Sequence, residues 1–165
     1  NVVVPLGYGS NILGCDRGFA ELARGGEIGR MPRLFGVQAA RCAPYHAAYA
    51  AGVEHLIPTP IAPTVAEGIA SAKPTRVAEV LRAVRGSGGA VVAVDEAEIV
   101  AALRALAGRG LYVEPTAAAA AAGLTRLLAA GAIRPDESTV VVLTGSGLKA
   151  SATIGELLGV EAARQ

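Results

Sequence analysis

The chain has 165 residues, enough for one domain with a buried core. A hydrophobic fraction of 52% and a mean hydropathy of +0.45 exclude an intrinsically disordered chain. A net charge of +1, with no basic stripe interleaved with aromatics, argues against a nucleic-acid partner.

Other classes drop out on spacing. Cys15 and Cys42 lack a CxxC spacing and have no histidine cluster nearby, so no metal site is expected. Two free thiols suit a cytoplasmic protein. The longest apolar run, around Pro115 to Leu124, is mostly alanine and too short to span a bilayer. The sequence opens on Asn1 and runs at once into a strand. It therefore reads as a single domain, residues 1–165, of a longer protein whose upstream part supplies partner strands.

In chain order, Val2-Val3-Val4 predicts a buried strand that stops at Pro5. Gly7 and Gly9 follow, then Ser10 and Asn11, both preferred helix N-cap types, then a helical pattern through Ile12, Leu13, Phe19 and Leu22. Backbone N–H groups at such a helix start favour an anion. A plain tight connection and a phosphate site fit this stretch about equally, and the side chains of Ser10 and Asn11 tip it toward the site.

Arg33 to Gln38 predicts a second strand, with Gln38 at its carboxyl end. Gln38 either faces the same crevice or caps the next helix, and capping is the better reading. That helix runs from about Pro44 to Gly52 and carries His46 and Tyr49, read as structural rather than catalytic, as is His55. Pro58, Pro60 and Pro63 mark a crossing loop or lid edge. Thr64 and Glu67 have the spacing of a capping box for a short helix. Thr75 caps another, with Val77, Val80, Leu81 and Val84 on one face. Gly86 to Gly89 precedes a strand and is a connecting loop.

Ala90 to Val94 is the third strand, and Asp95 with Glu98 is a further capping box. Leu111 to Val113 is short and extended. Glu114-Pro115-Thr116 opens an alanine-rich helix, Ala117 to Leu128, thin enough for a sheet or ligand to approach. The run Thr139 to Leu143 predicts a strand buried on both faces. It ends in Thr144-Gly145-Ser146-Gly147, a second strand end rich in hydroxyls and glycines. A last helix is expected from about Ser151 to Ala162. Strands alternating with helices predict an α/β, three-layer αβα fold around an open, largely parallel twisted sheet.

Four stretches together resemble threonine synthase and its relatives, the pyridoxal-phosphate enzymes of the tryptophan-synthase β fold (fold type II). They are Pro5-Leu6-Gly7-Tyr8-Gly9-Ser10-Asn11-Ile12, Phe35-Gly36-Val37-Gln38-Ala39, Tyr112-Val113-Glu114-Pro115-Thr116-Ala117-Ala118 and Leu143-Thr144-Gly145-Ser146-Gly147-Leu148-Lys149. The resemblance implies pyridoxal 5'-phosphate as cofactor. Gly7, Tyr8, Gly9, Ser10 and Asn11 would cradle its phosphate, and Thr144 would face its ring nitrogen. It implies a small amino-acid substrate, O-phosphohomoserine, converted with water to threonine and phosphate, and a homodimer. The phosphate loop departs from the threonine synthase pattern at Tyr8 and Ser10, and Ala150 stands where Asp is frequent. These departures leave a serine or threonine dehydratase, or a diaminopropionate ammonia-lyase, open.

The family's Schiff-base lysine lies upstream of the phosphate loop. Lys73 and Lys149, the only lysines, match that position in neither case. No catalytic residue is therefore expected in this chain, and it should be inactive alone. A non-catalytic phosphate-binding module is the competing reading.

Overall fold

A computed structural model gives the fold and describes residues 1–159. Four parallel strands form one sheet in the order β3-β2-β1-β4. The strands are β1 (Val2–Pro5), β2 (Leu34–Ala39), β3 (Val91–Val94) and β4 (Val140–Val141). Parallel neighbours need crossovers, and the helices supply them. They are α1 (Ser10–Arg24), α2 (Pro44–Ala50), α3 (Val77–Gly86), α4 (Glu96–Ala107), α5 (Pro115–Ala129) and α6 (Ser151–Leu158).

The sheet buries both faces, so there are two cores. Side chains alternate across a strand, and β1 shows it directly. Val2 and Val4 join Leu13 of α1, Tyr45 of α2 and Leu81 of α3. Val3 joins Ile99 of α4, the alanines of α5 and Ile154 of α6. The αβα layering read from the sequence is what forms. The alanine run has a packing reason: Ala117 to Ala120 are fully buried, and a Cβ at Gly123 would collide with Val37 of β2. Small residues let α5 lie close on the middle of the sheet.

The local signals fared unevenly. The Asp95–Glu98 capping box is complete in both directions, at 2.8 Å and 2.7 Å. The expected helix at Thr64 is not one. A single 3-10 turn, Glu67–Ile69, forms instead. The Thr64 hydroxyl donates to the Glu96 carboxylate at 2.7 Å, a partner that outcompetes the local box. Thr75 does not cap α3, whose N-cap is Arg76 with no side-chain bond, although Val77, Val80, Leu81 and Val84 are all buried as expected. The run 139–143 is not buried on both faces. Only Val140–Val141 is strand, and Val140 is 61% exposed. β4 is an edge, with β1 as its one paired strand among the described residues. The last helix is described to Leu158; its expected end at Ala162 lies outside the described residues. No helix among the described residues is long and apolar enough to cross a membrane.

The chain steps outward from β1 to β2 and β3, then returns to the other side of β1 for β4. That reversal puts a topological switch point between β1 and β4. In open parallel sheets a crevice forms there, outside the carboxyl ends of the strands.

Candidate functional site

A cleft of about 260 Å³ lies at this switch point. Gly7, Tyr8, Gly9, Ser10 and Asn11 line it from the end of β1, and Thr144 from the end of β4. All six residues singled out from the sequence thus face one space. The end of β1 is held from several sides. The Leu6 amide donates to the Val37 carbonyl at 2.7 Å. Gln38, fully buried, donates through Nε2 to the Leu6 carbonyl at 3.2 Å and accepts the His46 amide at 3.0 Å through Oε1. Gln38 therefore caps α2 from a neighbouring strand, the reading preferred from the sequence, and anchors the loop as well. Tyr45 donates its hydroxyl to the Tyr8 carbonyl at 3.1 Å. Burial pushes the Tyr45 hydroxyl up to about 12, so it stays a proton donor at neutral pH.

The helix start differs in one respect from the sequence reading. Gly9, not Ser10 or Asn11, is the N-cap, with φ +91°. An L side chain rarely adopts that backbone, and a Cβ here would also collide with Val80. Ser10 and Asn11 are then the first two helical residues. The first bond closing the helix runs from the Leu13 amide to the Gly9 carbonyl at 3.1 Å. The amides of Ser10, Asn11 and Ile12 precede it and donate to no group among the described residues, and Ser10 and Asn11 line the cleft. The first turn carries no acidic residue, so no carboxylate of its own competes for those amides.

Besides Pro5 at the end of β1, four lining residues come from elsewhere in the chain and are not assigned to the site by the sequence. Gly68 and Ile69 come from the loop between α2 and α3, and Glu114 and Thr116 from the start of α5. Glu114, in the stretch expected to open the alanine-rich helix, is the N-cap of α5, and its carboxylate also lies against Gly145, just past Thr144. The histidines stay outside: neither His46 nor His55 lines the cleft. Burial, and then the charge of Arg126, hold the His46 imidazole below its ordinary range. Lys73 and Lys149 are exposed and line no part of the cleft.

A family model described as "Pyridoxal-phosphate dependent enzyme" matches residues 1–145. The chain belongs to this family. Pyridoxal phosphate is accordingly the family's cofactor, and the cleft fits it: unpaired helix-start amides at one end and a threonine hydroxyl at the other. The chain is 38% identical over 149 residues to a threonine synthase of Methanocaldococcus jannaschii, covering 90% of this chain and 37% of that protein. It is 36% identical over 154 residues to a threonine synthase of Methanosarcina acetivorans, covering 93% and 38%. The chain therefore spans under two fifths of the length of these curated relatives. Among solved structures, the processed form of threonine deaminase isoform 2 from Solanum lycopersicum superposes with a TM-score of 0.72 at 22% identity, covering 96% of this chain and 42% of that one. A fungal L-serine ammonia-lyase from Rhizomucor miehei gives 0.70 at 21% identity, with 98% and 50% coverage. These two likenesses establish the fold, which is that of fold type II pyridoxal-phosphate enzymes.

Proposed function

We propose that this chain is the phosphate- and ring-nitrogen-binding part of a threonine-synthase-type lyase. The observation that carries the reading is the meeting of two strand ends, Gly7–Asn11 and Thr144, in one cleft. The identity to two archaeal threonine synthases across nine-tenths of the chain supports it.

In this reading the amides of Ser10, Asn11 and Ile12 hold the cofactor's phosphate, aided by the positive end of α1. The hydroxyl of Ser10 and the side-chain amide of Asn11 can donate beside them. Gln38 and Tyr45 fix the loop so that these donors are in place before anything binds, which lowers the ordering cost of binding. Thr144 meets the ring nitrogen with a neutral hydroxyl rather than a carboxylate. Pyridoxal phosphate, when bound, supplies an electron sink for carbon acids next to an amino group.

The overall reaction is O-phosphohomoserine plus water to threonine plus phosphate. The γ C–O bond breaks and phosphate leaves with the bonding electrons. One β C–H bond breaks and its proton is lost; hydroxide from water adds at the β carbon; and the γ carbon gains a proton, so CH2–CH2–O becomes CH(OH)–CH3. Proton transfer falls to a lysine outside this chain, since neither Lys73 nor Lys149 reaches the cleft. The 165 residues alone would not turn over substrate.

The test is a turnover assay on the complete gene product. Phosphate release from O-phosphohomoserine, with threonine as co-product, is expected. Formation of a 2-oxoacid from serine or threonine in its place would assign the dehydratase chemistry. Binding of pyridoxal phosphate with no turnover of any of these would favour the binding-module reading.

A further inference from the structure

The loop between α2 and α3 crosses the carboxyl ends of the strands and is tied down at two points. At one, the Thr64 hydroxyl and the Val65 amide both donate to the Glu96 carboxylate, at 2.7 Å and 2.8 Å. At the other, the Gly68 amide donates to Thr116 Oγ1 at 3.0 Å. Thr116 is buried, on the first turn of α5. The pair is mutually fitted: a Cβ at Gly68 would sit 2.8 Å from Thr116 Oγ1 and 3.2 Å from its Cγ2. Beyond the pair stands the phosphate loop. A Cβ at Gly7 would lie 3.1 Å from the Gly68 carbonyl oxygen and 3.2 Å from Ile69 Cα. Thr116, Gly68 and Gly7 therefore form one stack from α5, through this strap, to the loop that ends β1.

We infer that Thr116 is a positioning residue for the phosphate loop, acting through the Gly68–Ile69 strap. It forms no hydrogen bond to the loop itself; it holds the Gly68–Ile69 backbone that packs against Gly7. Removing its oxygen leaves the Gly68 amide without a partner and frees the strap to lift from Gly7. The helix-start amides then lose their fixed aim, and the part of a ligand that depends on them is the phosphate. The ligand arm of this inference rests on the pyridoxal-phosphate reading; the mechanical arm does not.

The experiment uses the complete gene product with Thr116→Val, Thr116→Ser and Gly68→Ala. Amide hydrogen exchange at Gly68 and at Tyr8 to Asn11 is followed without ligand. Binding of pyridoxal 5'-phosphate and of pyridoxal, which lacks the phosphate, is titrated in parallel. In Thr116→Val, exchange at Gly68 and along Tyr8 to Asn11 should quicken, and pyridoxal 5'-phosphate should bind about tenfold more weakly, the usual effect of one lost hydrogen bond to a partly buried group. Binding of pyridoxal should stay within twofold. Thr116→Ser, which keeps the oxygen, should restore both readouts. Gly68→Ala should loosen the same amides. Wild-type exchange at Tyr8 to Asn11 in both Thr116→Val and Gly68→Ala would overturn the inference. So would equal weakening of pyridoxal and its phosphate ester, since the strap would then serve the whole cleft. If the wild-type protein binds no pyridoxal 5'-phosphate, the proposed function fails and the exchange data alone decide the role of Thr116.

Discussion

At the end of β1, every residue from Val2 to Gly7 is buried, and β2 and β4 flank the strand. At the end of β4, Val140 and Thr144 are exposed and the strand has one neighbour. Both ends line the same cleft, yet they are held by different physics. The β1 end is fixed by core packing, by the buried Gln38 and by the strap. The β4 end is held by backbone bonds: Val142 N–H to the Val3 carbonyl at 2.9 Å and, just past Thr144, Glu114 N–H to the Gly145 carbonyl at 3.1 Å. On the proposed reading, the site that must aim several amides at one anion is placed where the backbone is most constrained. A site that offers a single hydroxyl tolerates an edge. Substitutions at the two ends should therefore separate stability from ligand recognition.

The largest effect is expected at Gly9. Replacing it with valine puts a β-branched side chain at φ +91° and drives it into Val80, at a cost of about 3 kcal/mol in unfolding free energy. Denaturant unfolding measures this. A loss under about 1 kcal/mol would show that the β1 end is softer than its packing implies. Gln38→Leu comes next. It strands the Leu6 carbonyl and the His46 amide in the interior, a cost of about 2 kcal/mol, with faster exchange of the His46 amide as its local signature.

A smaller effect belongs to the opposite end of β4. Arg33, just before β2, pairs with Glu137, just before β4, at 2.6 Å, and also bonds the Asn1 side chain at the start of β1. The Arg134 backbone N–H, then the Asn1 side chain and the Arg33 charge, hold the Glu137 carboxyl below its ordinary range. A carboxyl lowered in the folded state adds stability that is complete above its unfolded pKa of about 4.3 and fades as pH falls toward the folded value. Stability should thus drop on acidification through that window. Glu137→Gln should flatten this part of the profile, and an unchanged profile in that variant would remove Glu137 from the account.

How far the sequence anticipates this comparison depends on the range of the interactions. Val2–Val4 and Val91–Val94 read as strands because β-branched runs between turn signals have few other uses. Asp95 and Glu98 read as a capping box because both partners lie within one turn. The same logic misleads at 139–143: a run of valines looks alike in a central strand and at an edge, and only the strand order distinguishes them. Ser10 and Asn11 look like caps by residue type, but the turn demands a positive φ, which gives the cap to Gly9. The strap was legible only as a proline-marked crossing. Its ties run from Thr64 to Glu96 and from Gly68 to Thr116, 32 and 48 residues apart, beyond any local pattern. Glu114 is visible in sequence as part of a helix start, and its place against Gly145 needs the fold to bring the end of β4 beside it.

The smallest change in stability is expected at Thr144, where the comparison is sharpest. Its side chain is exposed and forms no hydrogen bond among the described residues, so Thr144→Val should shift unfolding by less than about 0.5 kcal/mol. Its effect should appear only with cofactor present. On the proposed reading, a hydroxyl opposite the ring nitrogen tunes the ring's electronics, so in the complete gene product valine should change the absorbance of bound pyridoxal phosphate and slow turnover, while affinity for the cofactor changes little. Gly9→Val should do the reverse, costing stability and phosphate affinity together. If Thr144→Val instead weakened binding of pyridoxal phosphate as strongly as Gly9→Val does, the two strand ends would not divide the cofactor between them. The reading of a rigid anion site beside a soft single-hydroxyl site would then have to be given up.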